Sequence, residues 1–529
     1  VSTQTWSSGY LAVDGNPFPV IGAEVHNSSS SSIPAIEHSF AVASAIGANT
    51  VLAPVAWDLL EPAEGVFDFT LVDHMIAAAR DRNLRLIPLW FGSWKNAVST
   101  YVPKWVKTDT ARFPRSELAD GSRVEHITPF SSEARDADAR AFAALMRRLR
   151  EVDTDKTVIA VQVENEIGLL GDTRDRSAQA ELAFAAAVPA AVVEAIAGDE
   201  GAPLRAEWLA AGGQREGSWA EIFPVSDRTD EAFMAAAFAA YTEAVASAGA
   251  AEYDLPLFVN AWLDADSVFD GPVTVAGGKR PGQYPSGGPV MPVAAIWESI
   301  APSLHFLAVD AYVKDAGPVF AAFRSRRGRL FVPELRADVE GVAQMFAAVG
   351  AHRAVGVSMF GVDAYSEDDA DYRVVKDGYE LLAAAATLIR SNPEARMYGF
   401  ELNEDSPSAT LEFDRLTIQV HSQDEHGMVS PSYPGYGIAV EDGDGAFVIG
   451  RGFWITLVPQ KDQRVSFLSA THYDHADGVL TVARELNGDE TGGGTFVPFP
   501  NPGSPLLPFH AIPMRIPEAA VTRISAYTY

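Results

Sequence analysis

Two acids placed at the ends of apolar runs carry the chemistry legible in this chain. In Val158-Ile-Ala-Val-Gln-Val-Glu-Asn-Glu-Ile-Gly168, a strand-like run gives way to Glu164, Asn165 and Glu166. Strict alternation sets Gln162 and Glu164 on one face and Val161 and Val163 on the other, so the polar groups are expected to point into the centre of a sheet. The run Arg329-Leu-Phe-Val-Pro-Glu334 likewise ends on an acid. One carboxyl that protonates a leaving oxygen, with another that attacks the anomeric carbon or activates water, is the equipment of glycoside hydrolysis. The structural alternatives are a solvated Glu-rich helix start for the first segment and a loop carboxylate paired with Arg336 for the second.

Acids so far apart in sequence need a scaffold that joins them. From about residue 18 to about 390, short apolar runs alternate with longer helical patterns. The strand candidates are Val20 to Val25, Thr50 to Val55, Leu84 to Phe91, Thr157 to Val163, Leu257 to Trp262, Phe306 to Tyr312, Leu330 to Glu334 and Ala354 to Phe360. Helical patterns cover Ile33 to Ile46, with serines as N-cap candidates, Pro34 in the first turn and Gly47 at the end. Others cover Leu71 to Arg80, Ala137 to Val152, Glu231 to Ala248, Val342 to Val349 and Val374 to Ile389. This order predicts an α/β protein built on a (β/α)₈ TIM barrel, whose catalytic residues gather at the C-terminal ends of the strands. A doubly wound open sheet would show a Gly-rich phosphate turn after its first strand, and Gly22-Ala-Glu-Val-His-Asn27 supplies none. After Arg390-Ser-Asn-Pro-Glu-Ala395 the pattern turns β-rich, in Thr410 to His421, Tyr436 to Val440, Phe447 to Leu457 and Arg464 to Ser469, with Asp442-Gly-Asp-Gly445 as a hairpin turn. The expected division is a barrel over 1–395 and a C-terminal all-β sandwich-like domain over 396–529.

Aromatic rings near strand ends suit a sugar, whose C–H faces pack on rings while its hydroxyls meet amides and acids. Trp57, Trp90, Trp94, Trp262, Tyr312 and Phe360 have such positions, Trp262 and Phe360 most directly, and ordinary barrel packing is the alternative for each. Asp310 ends the sixth strand and Asp363 follows the eighth, both as residues that orient neighbours. Other motifs fail. Gly356-Val-Ser-Met-Phe-Gly361 has one residue too many for a nucleophile elbow. His472, Asp474 and His475 read as a β-turn surface in preference to a metal site, and no phosphate loop, dinucleotide fingerprint or calcium loop occurs. No metal and no organic cofactor is expected.

With these residues in place, the sequence resembles glycoside hydrolase family 35, the β-galactosidases. The shared strings are Asp14-Gly-Asn-Pro-Phe18, Gly47-Ala-Asn-Thr-Val51 and Trp57-Asp-Leu-Leu-Glu-Pro-Ala-Glu-Gly-Val-Phe-Asp-Phe69. It is most similar to a bacterial side branch with a β-rich C-terminal domain, through Gly22-Ala-Glu-Val-His-Asn-Ser-Ser29, Leu89-Trp-Phe-Gly-Ser-Trp-Lys-Asn96 and Tyr284-Pro-Ser-Gly-Gly-Pro289. The resemblance implies Glu166, after Asn165, as acid/base and Glu334 as nucleophile of a retaining enzyme. Together with the aromatic positions above, the expected sugar site is drawn from Glu24, Asn27, Trp57, Trp94, Asn96, Glu164, Asn165, Trp262, Tyr312 and Phe360. Mainstream members carry His-Tyr after the first strand, a Tyr near Pro54 and a Glu-Trp pair after the third; here these read His26-Asn27, Pro54 and Asn96-Ala97. The catalytic pair is thus retained where the sugar-recognition groups differ, with Glu24 the nearest acid to replace the missing charge.

Composition narrows the partners. The chain has 529 residues, 47% of them hydrophobic, and a formal charge of −30. That charge repels phosphate backbones and anionic lipid, so neither nucleic acid nor a membrane surface is an expected partner. With no cysteine, thiol nucleophiles, thiolate metal sites and disulfides are excluded. No apolar run reaches the roughly 18 residues of a spanning helix. Val1-Ser2-Thr3-Gln4 lacks a start Met and a basic leader, and the expected compartment is the cytoplasm, the alternative being secretion with a removed leader. The resulting expectation is a retaining, exo-acting β-glycosidase, first a β-galactosidase, acting on an oligosaccharide or glycoside and compatible with a homo-oligomer. A β-glucosidase or β-glucosyl transglycosylase is the same-fold alternative, and a non-catalytic carbohydrate-binding protein the alternative of another class.

Overall fold

A computed structural model describes residues 5–266, 276–422, 434–459, 463–486, 488–501, 507–509, 512–514 and 520–529, side chains at 507–514 excepted. Val1 to Gln4 lie outside the described residues, as do positions 267–275 of the segment after the fifth strand.

All eight expected barrel strands form. They are β1 (Val20–Glu24), β2 (Thr50–Ala56), β3 (Arg85–Lys95), β4 (Val161–Asn165), β5 (Leu257–Trp262), β6 (Phe306–Asp310), β7 (Phe331–Val332) and β8 (Gly356–Phe360). Each is parallel to its neighbours in the order β6-β5-β4-β3-β2-β1-β8-β7. The seam between β6 and β7 is bridged where the Ala311 N–H donates to the Glu334 carbonyl at 2.9 Å. The backbone of Glu334 therefore takes part in barrel closure.

Two apolar layers hold the barrel. Inside, Leu52, Ile87, Leu89, Phe91, Phe258, Phe306 and Phe331 fill the lower core, with Phe258 stacked on Phe306 at 5.1 Å. Trp6 and Leu11 of a short N-terminal sheet seal the end remote from the acids, where Trp6 meets the edge of Phe306. Outside, Val161 and Val163 join the larger cluster beneath the helices, as alternation predicts. Helix Ile33–Ile46 has its expected caps: the Ser32 side chain accepts from the Ala35 N–H, and Gly47 ends the helix at φ +99°, a conformation glycine adopts without strain. Among the described residues no helix is long and apolar enough to cross a membrane.

Among the described residues, every regular element after Ser391 is a β-strand. A six-stranded sheet includes Met397–Leu402, Gly435–Asp442 and Gly445–Arg451, and a four-stranded sheet includes Ser408–Glu412, Thr417–Ser422 and Phe453–Leu457. Phe400, Leu411, Ile418, Val420, Ile455 and Phe499 pack between them. Two runs read as single strands are each divided. Thr410 to His421 folds back at Phe413, whose N–H donates to Leu416, and Phe447 to Leu457 changes sheet at Gly452 (φ +81°). The breaks fall where the apolar alternation changes phase across Asp414-Arg415 and where Gly450-Arg-Gly452 interrupts it. The six-stranded sheet presents Tyr436, Ile438 and Ile449 to the barrel core. Arg451 pairs with Asp377 of helix Ala370–Ser391 at 2.7 Å, and Gly350 and Gly399 lie so close that a Cβ on Gly350 would stand 2.4 Å from the Gly399 Cα.

Candidate active site

The end of β4 sets the geometry. Glu164 (φ +61°) and Glu166 (φ +46°) both occupy the left-handed region, uncommon for residues with a Cβ. The first of these turns breaks the alternation expected from sequence. Glu164 does not point into the barrel; its Oε2 accepts the Trp94 N–H at 2.8 Å and its carboxyl faces Asp138 of helix Ser132–Val152. Asn165 and Glu166 are directed to the mouth instead. Asn165 Oδ1 accepts from Lys95 Nζ at 2.9 Å, and its Nδ2 reaches Glu334 Oε1 at 3.5 Å.

Four strands hold Glu166 and its surroundings. The Glu166 N–H donates to Asn260 Oδ1 at 3.0 Å, and Asn260 Nδ2 donates to Asp310 Oδ2 at 2.6 Å. The Tyr312 hydroxyl donates to Glu334 Oε2 at 2.8 Å. One oxygen from each of Glu166, Asp310 and Glu334 lies within 4.8 Å of the other two. Glu24, from β1, is buried beside the Glu334 carboxyl and within the field of Lys95. Glu166, Asp310 and Glu334 are also, among the described residues, the group close enough to hold a cation; the charge they face here is the Lys95 ammonium.

Crowding and burial decide the protonation. Burial, then the negative charge of Glu334, lifts Glu166 to about 8, against a smaller opposing effect of Lys95. Burial and the same charge raise Glu24 and Asp310. Burial also works against the Lys95 ammonium, but Glu334, Glu166, Glu24 and Asp310 together outweigh it and raise its pKa.

The mouth therefore gathers Glu24, Asn165, Glu166, Tyr312 and Glu334 from the sequence-derived set. Trp262 stands two residues beyond Asn260 on the same face of β5, its Nε1 tied to the Gly277 carbonyl at 2.8 Å, and Phe360 is in register with Glu24, its ring 5.0 Å from His26. Asn27 lies on the loop after β1. Asn96 and Ala97, both at positive φ, form the turn closed by Lys95 and Val98 after β3. Trp57 and Trp94 are not at the mouth. Trp57 packs edge-on to Trp105 and binds Glu61, and Trp94 packs on Phe238 and Tyr241, so both fill the layer between strands and helices. Asp363 does orient neighbours, accepting from the His26 N–H at 3.1 Å and the Ser29 hydroxyl at 2.5 Å. His475 meets Thr387 of a barrel helix at 3.1 Å.

Lys95 and Asn260 were not singled out from sequence. The signal for Asn260 is a lone polar residue at an inward position of Leu257-Phe-Val-Asn-Ala-Trp262. Lys95 gives none, because its register depends on an irregularity in β3 between Trp90 and Lys95.

Fold and site define a parallel (β/α)₈ barrel with a buried cluster of carboxyls at the C-terminal ends of its strands. Residues 31–212 match the family model of glycoside hydrolase family 42, described as β-galactosidase, and residues 375–498 match one described as a domain of unknown function. The similarity found over residues 31–212 is thus to family 42, where the sequence resemblance pointed to family 35. No curated protein matches the chain. Among solved structures, a β-galactosidase from the psychrophilic Marinomonas ef1 is 14% identical, with a TM-score of 0.46, over 70% of this chain and 60% of that one. One from Bacillus circulans sp. alkalophilus is 14% identical, with a TM-score of 0.48, over 72% and 57%. The catalytic domain of a β-amylase from Paenibacillus polymyxa is 11% identical, with a TM-score of 0.49, over 68% and 96%. The matched region spans about three fifths of the length of the two galactosidases.

Proposed function

We propose that the protein is a retaining, exo-acting β-glycosidase that removes terminal β-galactosyl residues, with Glu334 as nucleophile and Glu166 as acid/base. The observation that carries this reading is the approach of Glu166 and Glu334 oxygens to within 4.8 Å. Retaining enzymes hold their two carboxyls about 5–5.5 Å apart, whereas inverting ones need about 6.5–9.5 Å to admit a water. The family match over residues 31–212 supports galactose as the first sugar to test.

The surrounding groups suit these roles. Tyr312 and Asn165 donate to the two oxygens of Glu334 and fix it for attack on the anomeric carbon. Glu166, raised to about 8, keeps at neutral pH the proton that the leaving oxygen takes. When Glu334 becomes a glycosyl ester its charge disappears, the Glu166 pKa falls, and Glu166 accepts a proton from the incoming water. Water adds to the anomeric carbon, the ester bond breaks, and Glu334 leaves as carboxylate. A purely sugar-binding protein has no need of an acid held in its neutral form at this place.

Azide tests the assignment. Glu334→Gly, inactive alone on aryl β-D-galactoside, should regain activity with azide and release the α-galactosyl azide. A β-azide would instead assign Glu334 as the acid/base residue, and release of inverted sugar by the unaltered protein would overturn the retaining mechanism. An aryl glucoside preferred to the galactoside would reassign the sugar.

A further inference from the structure

On the same face of the barrel lies a cavity of about 350 Å³ that the proposed reaction does not use. Asn27, from the loop after β1, and Asp58, from the short helix Trp57–Leu60 after β2, form part of its wall. Tyr101 adds an aromatic edge, and Leu60, Leu71 and Met75 supply an apolar side. The volume falls within the range of small-molecule sites, roughly 300–1,000 Å³.

Two features indicate what would occupy it. Asn27 Oδ1 and Asp58 Oδ1 are buried without a hydrogen-bond partner among the described residues. Buried polar atoms are ordinarily satisfied, so these two acceptors call for an occupant that brings donors. Leucine and methionine side chains in the same lining call for apolar surface. A saccharide ring meets both demands, with hydroxyl donors around its edge and C–H groups on its faces. Through Tyr101 the cavity also borders the residues that surround Lys95. Tyr101 lies 5.1 Å from the Phe91 ring, Lys95 Nζ lies 5.2 Å from the same ring, and Lys95 holds Asn165 at 2.9 Å.

We propose that this cavity binds a second saccharide ring of the substrate, beyond the bond that Glu166 and Glu334 cleave. The assignment rests on the glycosidase reading and extends it from a single terminal sugar to an oligosaccharide. It also gives Asn27 a partner chemistry that a one-ring site does not require.

The test compares nitrophenyl β-D-galactoside, which has one sugar ring, with β-linked galactotriose. Leu71→Trp fills the cavity from a half-buried position, and Asp58→Ala removes one acceptor without adding bulk. In each variant kcat/KM for galactotriose should fall about tenfold or more while that for the aryl galactoside changes less than about twofold. Equal losses on both substrates, or no loss on either, would overturn the proposal. If the unaltered protein turns over neither substrate, the glycosidase reading fails on galactosides, and the cavity is judged by calorimetric titration with galactotriose. Affinity reduced about tenfold in Leu71→Trp supports the site; unchanged affinity, or no binding to the unaltered protein, rejects it.

Discussion

Glu164 and Asp138 face one another as two buried carboxyls between β4 and helix Ser132–Val152, two residues along the chain from Glu166. Asp138 is the anion of the pair. It accepts from Trp90 Nε1 at 2.8 Å, from the Ser93 N–H at 3.0 Å and from the Ser93 hydroxyl at 2.6 Å. Glu164 accepts the Trp94 N–H, and burial followed by the Asp138 charge raises its pKa well above the ordinary range, so of the two it is the carboxyl that keeps a proton. The pair ties β4 to the irregular part of β3 that places Lys95. No room is left beside it: a Cβ on Gly92 would stand 2.6 Å from Glu164 Oε1 and 2.4 Å from Trp90 Nε1.

This arrangement predicts an asymmetry between two isosteric changes. Glu164→Gln keeps a neutral donor toward Asp138 and an acceptor for Trp94, and should unfold thermally close to the unaltered protein. Asp138→Asn turns an amide nitrogen toward donors that need an acceptor, and should cost about 3 kcal/mol or more, as for other broken buried pairs. Equal destabilisation of the two variants would refute the proton assignment.

The pH dependence of activity follows from Glu166. As its pKa is raised to about 8, the acid form persists through neutrality, and kcat/KM should decline above about 8 as the proton is lost. Glu334→Gln removes the second cause of that shift and should lower the Glu166 pKa, read directly by carboxyl NMR titration. An unchanged value in that variant would show that burial alone sets it.

Stability should carry the same signature. The unfolded chain releases the Glu166 proton near the ordinary value of 4.5, whereas the folded chain holds it to about 8. The contribution is therefore fully present below about 4.5, declines as pH rises, and is gone above about 8. Glu24 and Asp310, also raised, act in the same direction. The melting temperature should fall across this window, and the fall should be shallower in Glu166→Gln.

Lys95→Met withdraws the ammonium that faces Glu24, Glu166, Asp310 and Glu334. Since Lys95 lowers the Glu166 pKa, its loss should move the alkaline limit of kcat/KM upward. It also frees the Asn165 side chain that reaches Glu334, so kcat should drop by about 10²-fold, the scale of a misplaced catalytic group. Stopped kinetics over a pH series separates the two effects. A large loss of kcat with an unmoved pH limit would leave Lys95 with a positioning role alone.

Local pattern determined much of this protein. Alternating apolar runs and helical periods specify the barrel, because each strand and helix must bury one face whatever its neighbours are. Glu166 and Glu334 could be named since both stand where such a run ends, and Tyr312 and Glu24 have similar positions. Alternation misplaced Glu164, because one left-handed residue inverts the side-chain direction and period-two reasoning assumes there is none. It also promoted Trp57 and Trp94, whose strand-end positions say nothing about which side of the wall their rings take. Only the tertiary structure decided these, together with the closure through Glu334, the approach of acids lying 168 positions apart within 4.8 Å, and the choice of Lys95 as their counter-charge. The reason is common to all of them: distances across a barrel mouth and the field inside it belong to strands that meet in space, and no stretch of chain encodes them by itself.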